Sequence, residues 1–141
     1  QVRKLGLESA FVTEDAVYHP VFLEVGGPAA EGVYLTFAQA PDTPERQQFE
    51  KTYKAMWKVD AIGSYAYYAY DAGMMALAAI DKAGTAKGDA LQKTIRGNTW
   101  SGVTGDITFD EHGDRKLAHI VWIVKDNQFV PYWDPMTGKD L

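Results

Sequence analysis

The sequence predicts an α/β fold, and three observations carry that expectation. Two β-branched and aromatic runs flank a helical spacing near the start, and a long block of helix-periodic sequence follows. The last third then changes to alternation broken by turn residues.

The elements follow in order. Val2 to Leu7 reads as the last turn of a helix closed at Gly6, and the start at Gln1 without a Met predicts a truncated or processed beginning. Ser9-Ala10-Phe11-Val12-Thr13 is a short apolar run bounded by charge, expected to be a buried strand ending at Glu14-Asp15. Val17, Val21, Phe22 and Val25 have helical spacing, which predicts a helix over 17–25 stopped by Gly26-Gly27-Pro28. Gly32 to Phe37 has the content of a second strand, and Ala40-Pro41-Asp42-Thr43-Pro44 is a loop.

Thr43 can cap the next helix with Pro44 at its first position. Phe49, Tyr53, Met56 and Trp57 then share one face, expected to pack inward. A longer helix from about Gly63 to Gly84 carries the stripe Ala66, Tyr70, Gly73, Leu77 and Ile80, apolar enough to predict burial. Asp89 to Arg96 reads as a third helix, with Leu91 and Ile95 four apart and Gly97 after its end. Asp106 to Phe109 alternates, Glu111-His112-Gly113-Asp114 is a turn, His119 to Val124 is a strand, and Asp126-Asn127 turns the chain into Gln128 to Tyr132.

Composition bounds the function. The 141 residues fit one α/β unit, and 46% apolar with 23% charged residues is the balance of a globular domain. Nineteen acidic against fourteen basic residues, a formal charge of -5 without a basic cluster, argue against a nucleic-acid-binding face. The absence of cysteine excludes disulfides, thiol catalysis and Cys-based zinc sites. No apolar run approaches the ~18 to 20 residues of a membrane helix.

Glu14-Asp15 is the leading polar candidate, because ligands of open α/β sheets bind beyond the carboxyl ends of strands. Neighbours on an extended chain point to opposite sides, so one acid is expected to bind and the other to be solvated; a plain surface turn is the competing reading. Tyr65, Tyr67, Tyr68 and Tyr70 stand near a helix start, where Tyr65 in the first turn suits a pocket and Tyr70 suits packing. The same turn offers backbone N–H groups to an anion such as a carboxylate.

Asp110 to Asp114 lacks the ligand pattern of a calcium loop and reads as a hairpin turn. His19, His112 and His119 have no metal-site spacing, and no metal or other cofactor is expected. Gly102-Val103-Thr104-Gly105 is a turn rather than a phosphate loop, and neither Ser64 nor Ser101 sits in a nucleophile elbow. From the residues alone the chain is an α/β binding or scaffold domain.

Three stretches resemble the later part of type I periplasmic binding proteins of the leucine/isoleucine/valine family, the receptors of branched-chain amino acid ABC importers. They are FVTEDA with GGPAAEGVYLT, AYDAGMMALAAIDKAG, and WSGVTGDITFDEHGDR leading into HIVWIVKDNQFV. The resemblance implies a C-terminal portion of a fold with Rossmann-like lobes, holding parts of both: 1–37 and about 120–141 in one, about 38–119 in the other. It implies a non-enzymatic receptor that binds a branched-chain or related amino acid, or a related carboxylate, between lobes that close as a hinge.

By the same resemblance Asp15 meets the ligand ammonium, where the leucine-binding prototype carries the longer Glu. Ala16 offers backbone beside it, Tyr65 lines the side-chain pocket, and Glu14 and Tyr18 are neighbours. The implied partners are the ligand and an ABC permease, outside the cytoplasm and with no membrane insertion. The uncovered edges of such a portion favour a homodimer or segment-swapped oligomer. Two alternatives are a ligand-sensing regulatory domain of the same fold and an acid/base hydrolase using Glu14 or Asp15.

Overall fold

The structure, a computed structural model, describes residues 1–141. The strands are β1 (Phe11–Thr13), β2 (Val33–Ala38), β3 (Trp100–Gly102), β4 (Gly105–Ile107), β5 (His119–Lys125), β6 (Gln128–Asp134) and β7 (Lys139–Asp140). The helices are α1 (Pro20–Gly26), α2 (Pro44–Trp57), α3 (Tyr65–Ala83) and α4 (Gly88–Arg96). The chain forms two compact units, one of Gln1–Gln39 with Ala118–Leu141 and the other of Ala40–Leu117.

The first unit is a five-stranded sheet in the order β1-β2-β5-β6-β7, with β1 parallel to β2 and every other pair antiparallel. Alternation sets its faces. Val33, Leu35 and Phe37 on β2 and Ile120, Trp122 and Val124 on β5 are all buried, and the register sets Leu35 opposite Trp122 and Phe37 opposite Ile120. Phe22 and Leu23 of α1 pack on this face together with Phe129. The Trp122 indole N–H donates to the Phe37 carbonyl at 3.1 Å, so its one polar atom is satisfied inside the core. Asp126 and Asn127 both hold positive φ, at 51° and 57°, which is the two-residue turn that a tight β5–β6 hairpin requires.

The predicted helix over 17–25 is instead a 3₁₀ turn at Asp15–Val17, a break, and then α1 from Pro20. Proline disfavours the helical conformation in the residue before it, and His19 is accordingly extended at φ -147°, ψ 140°. His19 caps the new start, its Nδ1 accepting from the Val21 N–H at 3.2 Å.

In the second unit, Thr43 Oγ1 accepts from the Arg46 N–H at 3.2 Å and Pro44 opens α2. Gly84, at φ 66°, closes α3 in the left-handed conformation expected of a terminal glycine. Two burial expectations fail here. Met56 and Trp57 on α2 are 67% and 62% exposed, and Leu77 on α3 is 64% exposed. The buried side of α3 is Tyr67, Asp71 and Ala79, because the β3–β4 hairpin fastens to the Asp71 side.

Leu35 is fully enclosed at the centre of the five-stranded sheet. Leu35→Ala is therefore expected to lower unfolding free energy by about 2 to 5 kcal/mol, measured as a lower urea midpoint with an unchanged slope.

Candidate functional site

The carboxyl end of β1 carries the acidic pair. Glu14 leaves the strand in an extended conformation and bends its side chain back, so that Oε2 accepts from the Ala16 N–H at 3.0 Å. It thereby caps the 3₁₀ turn that begins at Asp15, and the turn closes when the Tyr18 N–H donates to the Asp15 carbonyl at 3.0 Å. The two neighbouring acids have different surroundings: Glu14 is exposed and occupied in capping, whereas Asp15 is half-buried in the first turn.

Tyr18 fixes this turn to the sheet. Its ring stacks on Phe37 with centroids 4.6 Å apart and planes within 6°, and it also touches Trp122 at 4.9 Å and Phe129 at 4.6 Å. The structure thus gathers Glu14, Asp15, Ala16 and Tyr18 into one turn beyond a parallel strand, with the Ala16 N–H already donated to Glu14. Tyr65 belongs to the other unit, where it is the first residue of α3 and 48% exposed. The first-turn Ala66 N–H there is donated to the Gly63 carbonyl at 2.9 Å.

The second unit holds a cluster that sequence reading missed. Asp71, 3% exposed, accepts from the Val103 N–H at 2.7 Å through Oδ1 and from the Thr104 N–H at 2.9 Å through Oδ2. It also accepts the Thr104 hydroxyl, which in turn accepts from Arg115 Nη1 at 2.9 Å. Arg115 Nη2 reaches the carbonyls of Thr104 and Asp106 at 3.3 and 3.2 Å. The available signal was an aspartate inside an otherwise apolar helical tract, which burial tolerates only with partners.

This arrangement accounts for the distinctive tail motif. A Cβ at Gly102 would collide with the Asp71 carboxylate, and Gly105 turns the hairpin at φ 88°. Asp110 Oδ1 accepts the N–H groups of His112, Gly113 and Asp114, each at 2.9 Å. Those N–H groups, with that of Asp114 foremost, hold the Asp110 carboxyl below its ordinary value. The tract is thus an aspartate-centred turn, and no group of three or more acidic or histidine side chains is arranged to hold a metal ion.

Beside this cluster, Tyr67 donates its hydroxyl to Glu50 Oε1 at 2.8 Å, with the Arg46 guanidinium 4.6 Å over its ring. Burial, reinforced by the Glu50 hydrogen bond, pushes the Tyr67 phenol up to about 12. Burial also raises the Tyr68 phenol. An apolar groove of about 800 Å³ runs between α2 and α3 as far as the hairpin, lined by Phe49, Tyr53, Met56, Trp57, Tyr70 and Met74 and reaching Asp71 and Gly102.

Residues 1–128 match the sequence profile of the periplasmic binding proteins. The chain belongs to the periplasmic binding protein family. A leucine-, isoleucine-, valine-, threonine- and alanine-binding protein of Pseudomonas aeruginosa is 30% identical over 117 residues, covering 82% of this chain and 31% of that protein. A leucine-binding protein of Thermotoga maritima superposes over 97% of this chain and 41% of its own, with 29% identity and a TM-score of 0.79. An ABC transporter substrate-binding protein of Desulfitobacterium hafniense, solved with Leu, shares the fold at 22% identity and a TM-score of 0.67. The chain spans about a third of the curated relatives it matches. These relatives are binding proteins, so the family gives no support to a hydrolase built on Glu14 or Asp15. No helix is long and apolar enough to cross a membrane.

Two predictions follow from the second unit. Asp71→Ala leaves the Val103 and Thr104 donors without their buried acceptor and is expected to cost about 3 to 5 kcal/mol in urea unfolding. The Tyr67 phenol holds its proton more tightly in the folded chain than at its ordinary value of 10.0. Its contribution to stability is therefore complete below pH 10 and falls as pH rises toward about 12. Tyr67→Phe should flatten that decline in a plot of urea midpoint against pH.

Proposed function

We propose that this chain is the ligand-facing C-terminal portion of an extracytoplasmic solute-binding receptor that serves an ABC importer. The observation that carries this reading is the match to the periplasmic binding protein family across residues 1–128, with relatives named for binding leucine, isoleucine and valine. The ligand is a branched-chain or related amino acid held between two lobes, and the partner that receives it is an ABC permease. Residues 1–37 with about 120–141 belong to one lobe, and about 38–119 to the other.

Asp15 takes the ligand ammonium. It stands just past the carboxyl end of a parallel strand, on a turn that Glu14 caps and the Tyr18 stack holds to the sheet. A carboxylate accepting from an ammonium makes a charge-assisted hydrogen bond, stronger than one between neutral groups. Ala16 lies beside it at backbone level, and Tyr65 supplies an aromatic wall for the ligand side chain.

The test is a chimera in which this chain replaces the matching third of the Pseudomonas aeruginosa protein. Calorimetry should show leucine, isoleucine or valine binding. Asp15→Ala should weaken it by about 1.5 to 3 kcal/mol, roughly 10- to 150-fold. Unchanged affinity would remove Asp15 from the site, and a folded chimera that binds none of the three would remove the ligand class.

A further inference from the structure

His19 joins the turn that bears Asp15 to α1. Pro20 opens α1 without an N–H of its own, so Val21 carries the first backbone donor of the helix, and the His19 side chain occupies it, Nδ1 accepting at 3.2 Å. An imidazole can accept there only while Nδ1 carries no proton. The His19 backbone is tied to both sides: its N–H donates to the Val17 carbonyl at 2.7 Å, in the Asp15–Val17 turn, and its carbonyl accepts from the Phe22 N–H at 2.9 Å. Side chains make the same connection, since the Phe129 ring centroid lies 4.6 Å from that of Tyr18 and 6.4 Å from that of Phe22.

We propose that His19 is a pH-sensitive positioning residue, which holds the Asp15 turn ready for ligand while neutral and releases it when protonated. A proton on Nδ1 turns the acceptor into a donor facing the Val21 N–H, and it sets a cation against the N–H groups that open α1. His19 is exposed, so bulk protons reach it, and histidine is the side chain whose charge changes between about pH 5 and about pH 8. The other titratable groups of the two elements it joins are Glu14, Asp15 and Tyr18 on the turn and Glu24 on α1. The sheet residues packed against these elements, Val33, Phe37, Trp122 and Phe129, carry no charge, and the 27–30 segment after α1 has no titratable group. The proposal rests on the receptor reading in taking Asp15 as the ligand contact.

Leucine binding to the chimera described above is measured by calorimetry at about pH 8 and about pH 5, together with hydrogen-exchange protection of the Val21 and Ala16 amides in the isolated chain. Affinity should fall about fivefold at the lower pH, the factor that loss of one helix cap represents, and protection at both amides should fall with it. His19→Asn supplies an acceptor that does not titrate in this range and leaves every other titratable group in place, so its affinity and protection should be equal at the two pH values. His19→Ala supplies no acceptor and should bind weakly at both.

Equal affinity at the two pH values in the parent chimera would overturn the proposal, as would a His19→Asn chimera that keeps the parent's fall or binds as weakly as His19→Ala. In a chimera that fails to fold or binds no leucine, the amides of the isolated chain decide. Protection lost at the lower pH in the parent chain but kept in His19→Asn leaves the pH-sensitive turn standing independently of the ligand assignment, and protection equal at both pH values overturns it.

Discussion

The carboxylate of Asp71 joins a helix to a hairpin, and much of the second unit is arranged around it. A buried carboxyl group is tolerated only when its oxygens are occupied, and here two backbone N–H groups and a threonine hydroxyl occupy them. That requirement explains the glycine at 102, where no side chain fits, and Thr104, whose hydroxyl passes the network on to Arg115. It also sets the rotation of α3 about its axis. With Asp71 turned to the hairpin, Tyr67 and Ala79 are buried while Tyr70, Met74 and Leu77 stay exposed.

The division of labour between the two units follows from their interiors. The first is held by a conventional apolar sheet core, with an aromatic group formed by Tyr18, Phe37, Trp122 and Phe129 at one end. The second relies on polar fastening: the Asp71 cluster, the Tyr67–Glu50–Arg46 set and the Asp110 turn. The tract from Trp100 to Arg115, one of the three that carry the family resemblance, is in this structure a fastening device held by hydrogen bonds.

Local signals were the legible part of the sequence. Thr43-Pro44, Gly84 and Asp126-Asn127 each perform the capping or turning role that their chemistry dictates, and the β-branched and aromatic content of β2 and the apolar run of β5 mark them as strands, whose buried faces only the structure shows. Where two residues competed for one job, the pattern misled. Hydrophobic spacing ran a helix through Tyr18, but Pro20 imposed a break ahead of it. On α3 both sides are apolar, so spacing could not reveal that one buried aspartate selects the inward side. At the candidate site, sequence placed both acids at a strand end. It could not assign Glu14 to capping, because the fold of a side chain back onto the next turn depends on backbone angles that spacing does not encode.

The first unit is discontinuous along the chain, which has a consequence for how it assembles. Its two central strands, β2 and β5, are separated by all of Ala40 to Leu117, so pairing them from an unfolded chain must first close a long loop. Contacts within the intervening segment are nearer in sequence, and the β5–β6 hairpin closes through two residues. The economical order is for the inserted segment and that hairpin to form first. A compacted insert shortens the loop between β2 and β5, so the sheet that bears Asp15 is expected to be completed last.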